Sequence, residues 1–137
     1  MSDVYEKIVW DPRLSVGVEQ IDNDHKNLIG QYNLLVDHLA RDFDPDAVMI
    51  ALDFLNGYIN THFDREEVLM REIGYPDLER HARSHAHLKQ TVQRLYLRFQ
   101  AEQSLAVAEA LAALAGEWLT HHILRDDRAI GDFVRQR

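Results

Sequence analysis

The sequence contains no cysteine, which excludes both a disulfide framework and a thiolate metal site. It also lacks an apolar run of membrane-spanning length and an apolar signal core near its N-terminus. Positive charge is scarce, because 15 lysines and arginines face 23 acidic residues and leave a net charge of −8. Such a balance argues against a nucleic-acid or anionic-membrane partner. We therefore expect a cytoplasmic protein that neither inserts into membranes nor binds nucleic acid.

The length and the composition indicate one folded domain. A chain of 137 residues is long enough for a real hydrophobic core but too short for two ordinary domains. Hydrophobic residues make up 46% and charged residues 28%, as in soluble globular proteins. We expect a single domain over residues 1–137, with an ordered N-terminal arm (1–18), a helical bundle (about 20–124) and a C-terminal segment (125–137).

Four stretches carry apolar residues at helical spacing, and no stretch has the alternation of a strand. Asp22, Asn23 and Asp24 predict the start of the first helix. Asp44 and Pro45 predict the cap and first position of the second, and Gly74 predicts its end. Ser104 is a candidate cap for the fourth helix. Short turns between the helices predict an all-α, up-down-up-down antiparallel four-helix bundle, followed by a short C-terminal helix.

Histidine is unusually frequent, and five of the eight histidines fall on the apolar stripes of the predicted helices. At about 1.5 Å per residue, counting from the predicted turns brings all five to nearly the same level of the bundle. These histidines are His25, His62, His81, His85 and His122. Glu66 follows His62 by four residues and therefore shares its face. Five neutral imidazoles and a carboxylate in a dry core would leave many polar atoms unpaired, whereas a metal site satisfies them together.

The ligand types narrow the choice of metal. Imidazole with carboxylate suits iron, zinc, copper or manganese. Five histidines exceed the needs of one tetrahedral zinc ion, whereas two metals bridged by carboxylates would use them all. The remaining histidines, His38, His87 and His121, lie off this level or off these faces, so we interpret them as solvated or rim residues.

At this point the sequence resembles a known family, the hemerythrins, and within it the single-domain bacterial members. The resemblance covers nearly the whole chain, and although each motif alone is weak, the ordered set is specific. The motifs are the arm from Trp10 through Val16–Val18 to Ile21–His25, His-x3-Glu at 62 and 66, His-x3-His at 81 and 85, and Trp118-Leu119-x-x-His122-Ile123-x3-Asp127.

The resemblance implies a non-haem di-iron centre with a bridging oxo or hydroxo group. It implies that His81, His85 and His122 bind one iron, and that His25 and His62 bind the other. It makes Glu66 and Asp127 the bridging carboxylates. Simple helical geometry favours Asp126 instead, because Asp126 follows His122 by four residues. Asp127 requires the helix to loosen or end there, so Asp126 stays open as the alternative.

The function that the resemblance implies is reversible dioxygen binding, for storage, delivery or buffering. In two six-coordinate irons, five histidines, two bridging carboxylates and the shared oxygen fill every position except one. The open position falls on the iron with two histidines. The residues that match the family's apolar oxygen pocket are Phe63, Trp118, Leu119 and Ile123.

Two other functions use the same centre. One is a di-iron enzyme, such as a nitric oxide reductase or a peroxidase, and the other is a sensor of oxygen, nitric oxide or redox state. The histidine-rich ligand set and the single open position favour oxygen binding, because oxygen-activating di-iron enzymes of the ferritin-like type use four carboxylates. Sensory relatives usually carry fused signalling domains, so a sensor of this length would need a separate protein partner, which the sequence does not identify.

Overall fold

The computed structural model describes residues 5–136, which form helices and no strand. A 3₁₀ turn, Pro12–Leu14, precedes the helices α1 (Glu19–Leu39), α2 (Pro45–Ile73), α3 (Leu78–Glu102) and α4 (Leu105–His121). A π-helical segment, His122–Asp127, then continues directly into α5 (Arg128–Gln136). Each of the four long helices contacts the next, and α1 contacts α4, so they enclose a common core. The predicted all-α four-helix bundle with a short C-terminal helix is confirmed.

Helix α1 begins at Glu19, three residues before the predicted start at Asp22. Its N-cap residue, Val18, makes no side-chain capping bond. Asp22 has another role: its carboxylate accepts hydrogen bonds from Ser15 Oγ (2.6 Å) and from the backbone N–H of Val16 (2.8 Å). The predicted boundary was wrong because this acidic residue fixes the preceding arm to the helix.

The other predicted helix boundaries are confirmed. Asp44 accepts a hydrogen bond from the backbone N–H of Asp46, and Pro45 opens α2. Gly74 ends α2 in the left-handed conformation with φ +66°, where glycine avoids the strain of a Cβ. Ser104 caps α4 by accepting from the backbone N–H of Val107. The chain stays helical from α4 through the π segment into α5.

The N-terminal arm packs on the bundle over its described part. Asn33 exchanges two hydrogen bonds with the backbone of Ile8, and the Tyr32 hydroxyl donates to the Glu6 carbonyl oxygen. Val16 is fully buried. Residues 1–4 of the expected arm and residue 137 of the expected C-terminal segment lie outside the described residues.

Two apolar clusters divide the interior along its length. The larger fills most of the bundle and reaches Leu28, Phe63 and Ile123. The smaller, which includes Ile21 and Met70, closes the end near α5. On α1 and α2 the buried histidines lie between these two clusters, so polar side chains interrupt an otherwise continuous core. None of the described helices has both the length and the apolar character needed to cross a bilayer.

Candidate metal centre

Seven polar side chains meet between the two apolar clusters. His25 comes from α1, His62 and Glu66 from α2, His81 and His85 from α3, and His122 and Asp127 from the π segment. All seven are buried, with at most 4% of each residue exposed. The structure thus brings the five predicted histidines together from α1, α2, α3 and the π segment that follows α4.

The π segment determines which aspartate enters the cluster. Its wider turn brings Asp127, five residues after His122, back to the inner face, where Asp127 Oδ1 lies 2.7 Å from His122 Nε2. Asp126 lies on the outer side, with Oδ2 3.4 Å from His122 Nδ1. The helix loosens without ending, and the structure thus brings Asp127 to the other predicted ligands.

The histidines form two groups. His81 and His85 direct their Nε2 atoms at Glu66 Oε1, at 2.6 and 3.1 Å, and His122 Nε2 lies 3.5 Å from the same oxygen. His25 Nε2 lies 2.6 Å from Asp127 Oδ2, and His62 Nε2 lies 3.5 Å from it. We call these the three-histidine group and the two-histidine group.

Each carboxylate divides its two oxygens between the groups. Glu66 Oε1 faces the three-histidine group, whereas Oε2 lies 3.1 Å from His62 Nε2 in the other. Asp127 Oδ1 faces His122, whereas Oδ2 faces His25. Within each potential set of metal donors, the ligand atoms lie within 4.8 Å of one another. Two cations side by side, joined by both carboxylates, match this arrangement.

The hydrogen bonding of the inner atoms supports cation binding. Among the described residues, His62 Nε2, Glu66 Oε2 and Asp127 Oδ1 are buried without a hydrogen-bond partner. Unpaired buried polar atoms are costly, and a metal ion would satisfy these inward-facing ones together. The residues therefore fit a metal centre, and imidazole with carboxylate suits iron, zinc, copper or manganese.

The electrostatics of these side chains lead to the same conclusion. Burial lowers the pKa values of His62 and His122, but the surrounding carboxylates outweigh it and raise both well above the ordinary value. Burial raises the pKa values of Glu66 and Asp127, yet the histidines hold both well below the ordinary range. Protons on imidazoles thus balance the buried carboxylates, and a metal ion would take their place.

Three further carboxylates contact the outer nitrogens of these histidines. Asp24 Oδ2 accepts from His62 Nδ1 (3.2 Å), Glu67 Oε2 accepts from His85 Nδ1 (2.9 Å), and Asp126 contacts His122. The sequence analysis did not assign this role to Asp24 or Glu67. The available signal was weak: each of the three is an acidic residue adjacent in the chain to a predicted ligand.

Aromatic rings cover the three-histidine group. Phe63 stacks on His85 with ring centroids 3.8 Å apart, and Trp118 stacks on His122 at 4.2 Å. Phe63 and Trp118 meet edge to face. Phe63, Leu119 and Ile123 are buried, and Trp118 is half-buried. The four residues predicted to line an oxygen pocket therefore belong to the apolar surroundings of the site.

The other histidines lie apart from the site. His121 exposes 61% of its side chain, His87 is exposed, and His38 is half-buried in the last turn of α1. None of the three belongs to either group of potential donors among the described residues.

Comparison with known proteins gives concordant matches over most of the chain. Residues 16–134 match the Hemerythrin HHE cation binding domain. A bacteriohemerythrin of Stenotrophomonas maltophilia is 35% identical over 129 residues, covering 93% of this chain and 82% of that protein. Myohemerythrin of Theromyzon tessulatum is 28% identical over 91% of this chain and 92% of that protein. A crystal structure of wild-type hemerythrin superposes with a TM-score of 0.86 at 26% identity, covering 94% and 98% of the two chains.

Proposed function

The chain belongs to the hemerythrin family, and from this membership and the geometry of the site we propose that it binds dioxygen reversibly at a di-iron centre. The observation that carries the proposal is the division of each carboxylate between a three-histidine and a two-histidine group. Such a ligand set holds two metals close together and leaves their coordination unequal. The physiological role that we propose is oxygen storage, delivery or local buffering.

The proposed ligands are the seven clustered side chains. His81, His85 and His122 would hold one iron, His25 and His62 would hold the other, and Glu66 and Asp127 would serve both, with an oxo or hydroxo group completing the centre. Bound iron supplies two metal ions that can each exchange one electron with dioxygen. The two-histidine side has one fewer protein ligand, so we assign the open coordination position to it.

The apolar residues around the site favour the release of bound dioxygen over its further reaction. Phe63, Leu119 and Ile123 are buried, and together with Trp118 they place apolar groups beside the histidines. An apolar wall keeps water from the site and disfavours the separation of charge that would let reduced oxygen escape. We propose these four residues as the oxygen pocket, and we propose binding rather than catalytic turnover. The cytoplasmic location and the single-domain organisation of residues 1–137 stay predictions.

The test is the visible spectrum of iron-loaded protein, recorded reduced under inert gas, then in air, then after purging. Two irons per chain and a charge-transfer band that appears in air and fades on purging are the expected results. A stable oxidised form that never returns would contradict reversible binding. Rapid turnover of nitric oxide or peroxide would instead identify an enzyme, and a metal content of one zinc ion would exclude the two-metal centre.

A further inference from the structure

Asp24 connects the two-histidine group to a surface arginine. It precedes His25 on α1, but its side chain turns towards α2, where Oδ2 accepts a hydrogen bond from His62 Nδ1 (3.2 Å). Its other oxygen, Oδ1, accepts from Arg65 Nη1. Each oxygen of Asp24 therefore has its own partner, and both partners lie on α2, three residues apart.

The surroundings of Asp24 differ from those of the other outer carboxylates. The side chain of Asp24 is 7% exposed, against 20% for Glu67 and 27% for Asp126. Water can solvate the latter two, but an enclosed carboxylate needs a cation or several donors. Arg65 supplies that cation while exposing 45% of its own side chain. Arg65 and Asp24 also line the same surface groove, next to Glu66. Through Asp24, Arg65 therefore connects a solvent-accessible positive charge to His62, a proposed iron ligand.

The contact with Asp24 fixes how His62 meets the metal. With Nδ1 donating to Asp24, Nε2 is the nitrogen left to bind a metal in place of its proton, and it faces Glu66 and Asp127. A carboxylate on the outer nitrogen makes an imidazole a stronger electron donor to a bound metal. A cation on that carboxylate weakens the effect. His25, the other member of the group, has no hydrogen-bond partner at Nδ1 within the described part of the chain. Donation by the two-histidine group is therefore adjusted through His62.

We propose that Asp24 and Arg65 are positioning residues that set the electron donation of His62, and through it the reduction potential of the iron on the two-histidine side. This inference rests on the proposed function, since it requires iron at that position. Asp24 strengthens His62 as an electron donor, and Arg65 limits this effect. Removing the charge of Asp24 should therefore raise the potential, whereas removing Arg65 should lower it.

The test compares Arg65→Met with Asp24→Asn in iron-loaded protein. Without Arg65, the full charge of Asp24 acts on His62 and stabilises the ferric state. The midpoint potential therefore falls, and oxidation of the iron by dioxygen in air becomes roughly tenfold faster. Asp24→Asn keeps an acceptor for Nδ1 but removes the charge, so the potential rises and the conversion slows. Arg65→Lys, which retains the cation, returns the potential towards that of the unchanged protein.

A merely structural role for the pair predicts a different pattern. Both substitutions weaken the Asp24–Arg65 contact between α1 and α2, so a structural effect would move both potentials in the same direction. Arg98→Met serves as the control, because it removes an exposed arginine paired with Glu102 and lowers the net charge equally. Its potential should equal that of the unchanged protein. If Asp24→Asn fails to fold, Arg65→Met and Arg65→Lys still show the direction in which the charge at position 65 moves the potential.

Two further measurements separate this inference from the proposed function. In zinc-loaded protein, the Nδ1–H proton of His62 should resonate downfield and resist exchange with solvent in the unchanged chain and in both variants, because its hydrogen bond to residue 24 is retained. A lost contact would let this proton exchange. If the unchanged protein binds fewer than two irons, the proposed function fails. If it binds two irons and the variant potentials are unchanged, or shift in the same direction, only the role of Asp24 and Arg65 is overturned.

Discussion

The two histidine groups of the site differ in what surrounds them. In the three-histidine group, stacked aromatic rings hold His85 and His122, and partly solvated carboxylates contact their outer nitrogens. In the two-histidine group, His25 lacks a partner at Nδ1 in the described chain, and His62 contacts an enclosed aspartate whose charge an arginine balances. We infer that packing holds the ligands of the three-histidine group rigidly, whereas the electron donation of the two-histidine group can be adjusted.

The largest expected effect comes from removing a carboxylate that both groups share. Glu66→Ala takes away one bridging ligand and leaves buried, positively charged histidines in its place, so both irons should be lost. Iron content per chain, measured by elemental analysis, should fall from two to near zero. Glu67→Ala is the control, because it removes an acid that contacts the site only through the outer nitrogen of His85. Equal iron loss from the two variants would contradict the bridging role of Glu66.

Removing one ligand from the smaller group should have half that effect. His62→Ala leaves the two-histidine side with a single imidazole, so we expect one iron per chain and no optical response to oxygen. His38→Ala, a half-buried histidine away from the site, should keep both irons and the response. The ligand assignment is wrong if both variants lose iron to the same extent.

The aromatic wall of the larger group can be tested through stability. Phe63 is fully buried and stacks on His85, so Phe63→Ala should cost about 3–5 kcal/mol of unfolding free energy. Phe54, on the same helix, is 59% exposed, and its replacement by Ala should change stability by less than about 0.5 kcal/mol. Denaturant unfolding of both variants in the metal-free form provides the measurement. If Phe63→Ala lowers the unfolding free energy as little as the Phe54 replacement does, Phe63 contributes little to the stability of the larger group.

The smallest expected effect is a pH dependence that only the metal-free protein shows. Burial lowers the pKa of His81, but the nearby carboxylates of Asp127 and Glu66 raise it to about 8. Because this value exceeds the ordinary 6.5, the stabilisation is complete below pH 6.5 and is lost as the pH rises through about 8.

The carboxylates have the opposite dependence. Glu66 and Asp127 have lowered pKa values, so their contribution is present above their ordinary values and is lost as the pH falls through the folded-state values. Between pH 6 and pH 9 the contribution of these carboxylates is fully present. Thermal unfolding of metal-free protein over this range should therefore show the decline in stability that His81 causes. Metal-loaded protein should lack this decline, because metal replaces the protons. A decline of equal size in both forms would argue against proton–metal competition at this site.

Much of the fold followed from local signals along the chain. The apolar stripes predicted four helices, and Asp44, Gly74 and Ser104 correctly predicted three helix boundaries. Asp22 misled the prediction of the first helix because a capping residue and an arm-binding residue are both short acids beside a helix start. Sequence pattern alone does not distinguish a carboxylate that binds its own helix from one that binds a neighbouring segment.

The sequence by itself determined the helices, the face of each histidine and its level in the bundle, because helical periodicity and a fixed rise per residue make these quantities countable. Its resemblance to the hemerythrins also supplied the seven candidate ligands. Only the tertiary structure decided that a π segment turns Asp127 inward, that Glu66 and Asp127 each face both groups, and that Asp24 joins His62 to Arg65. These contacts depend on side-chain rotation and on the packing of separate helices, which no local pattern specifies.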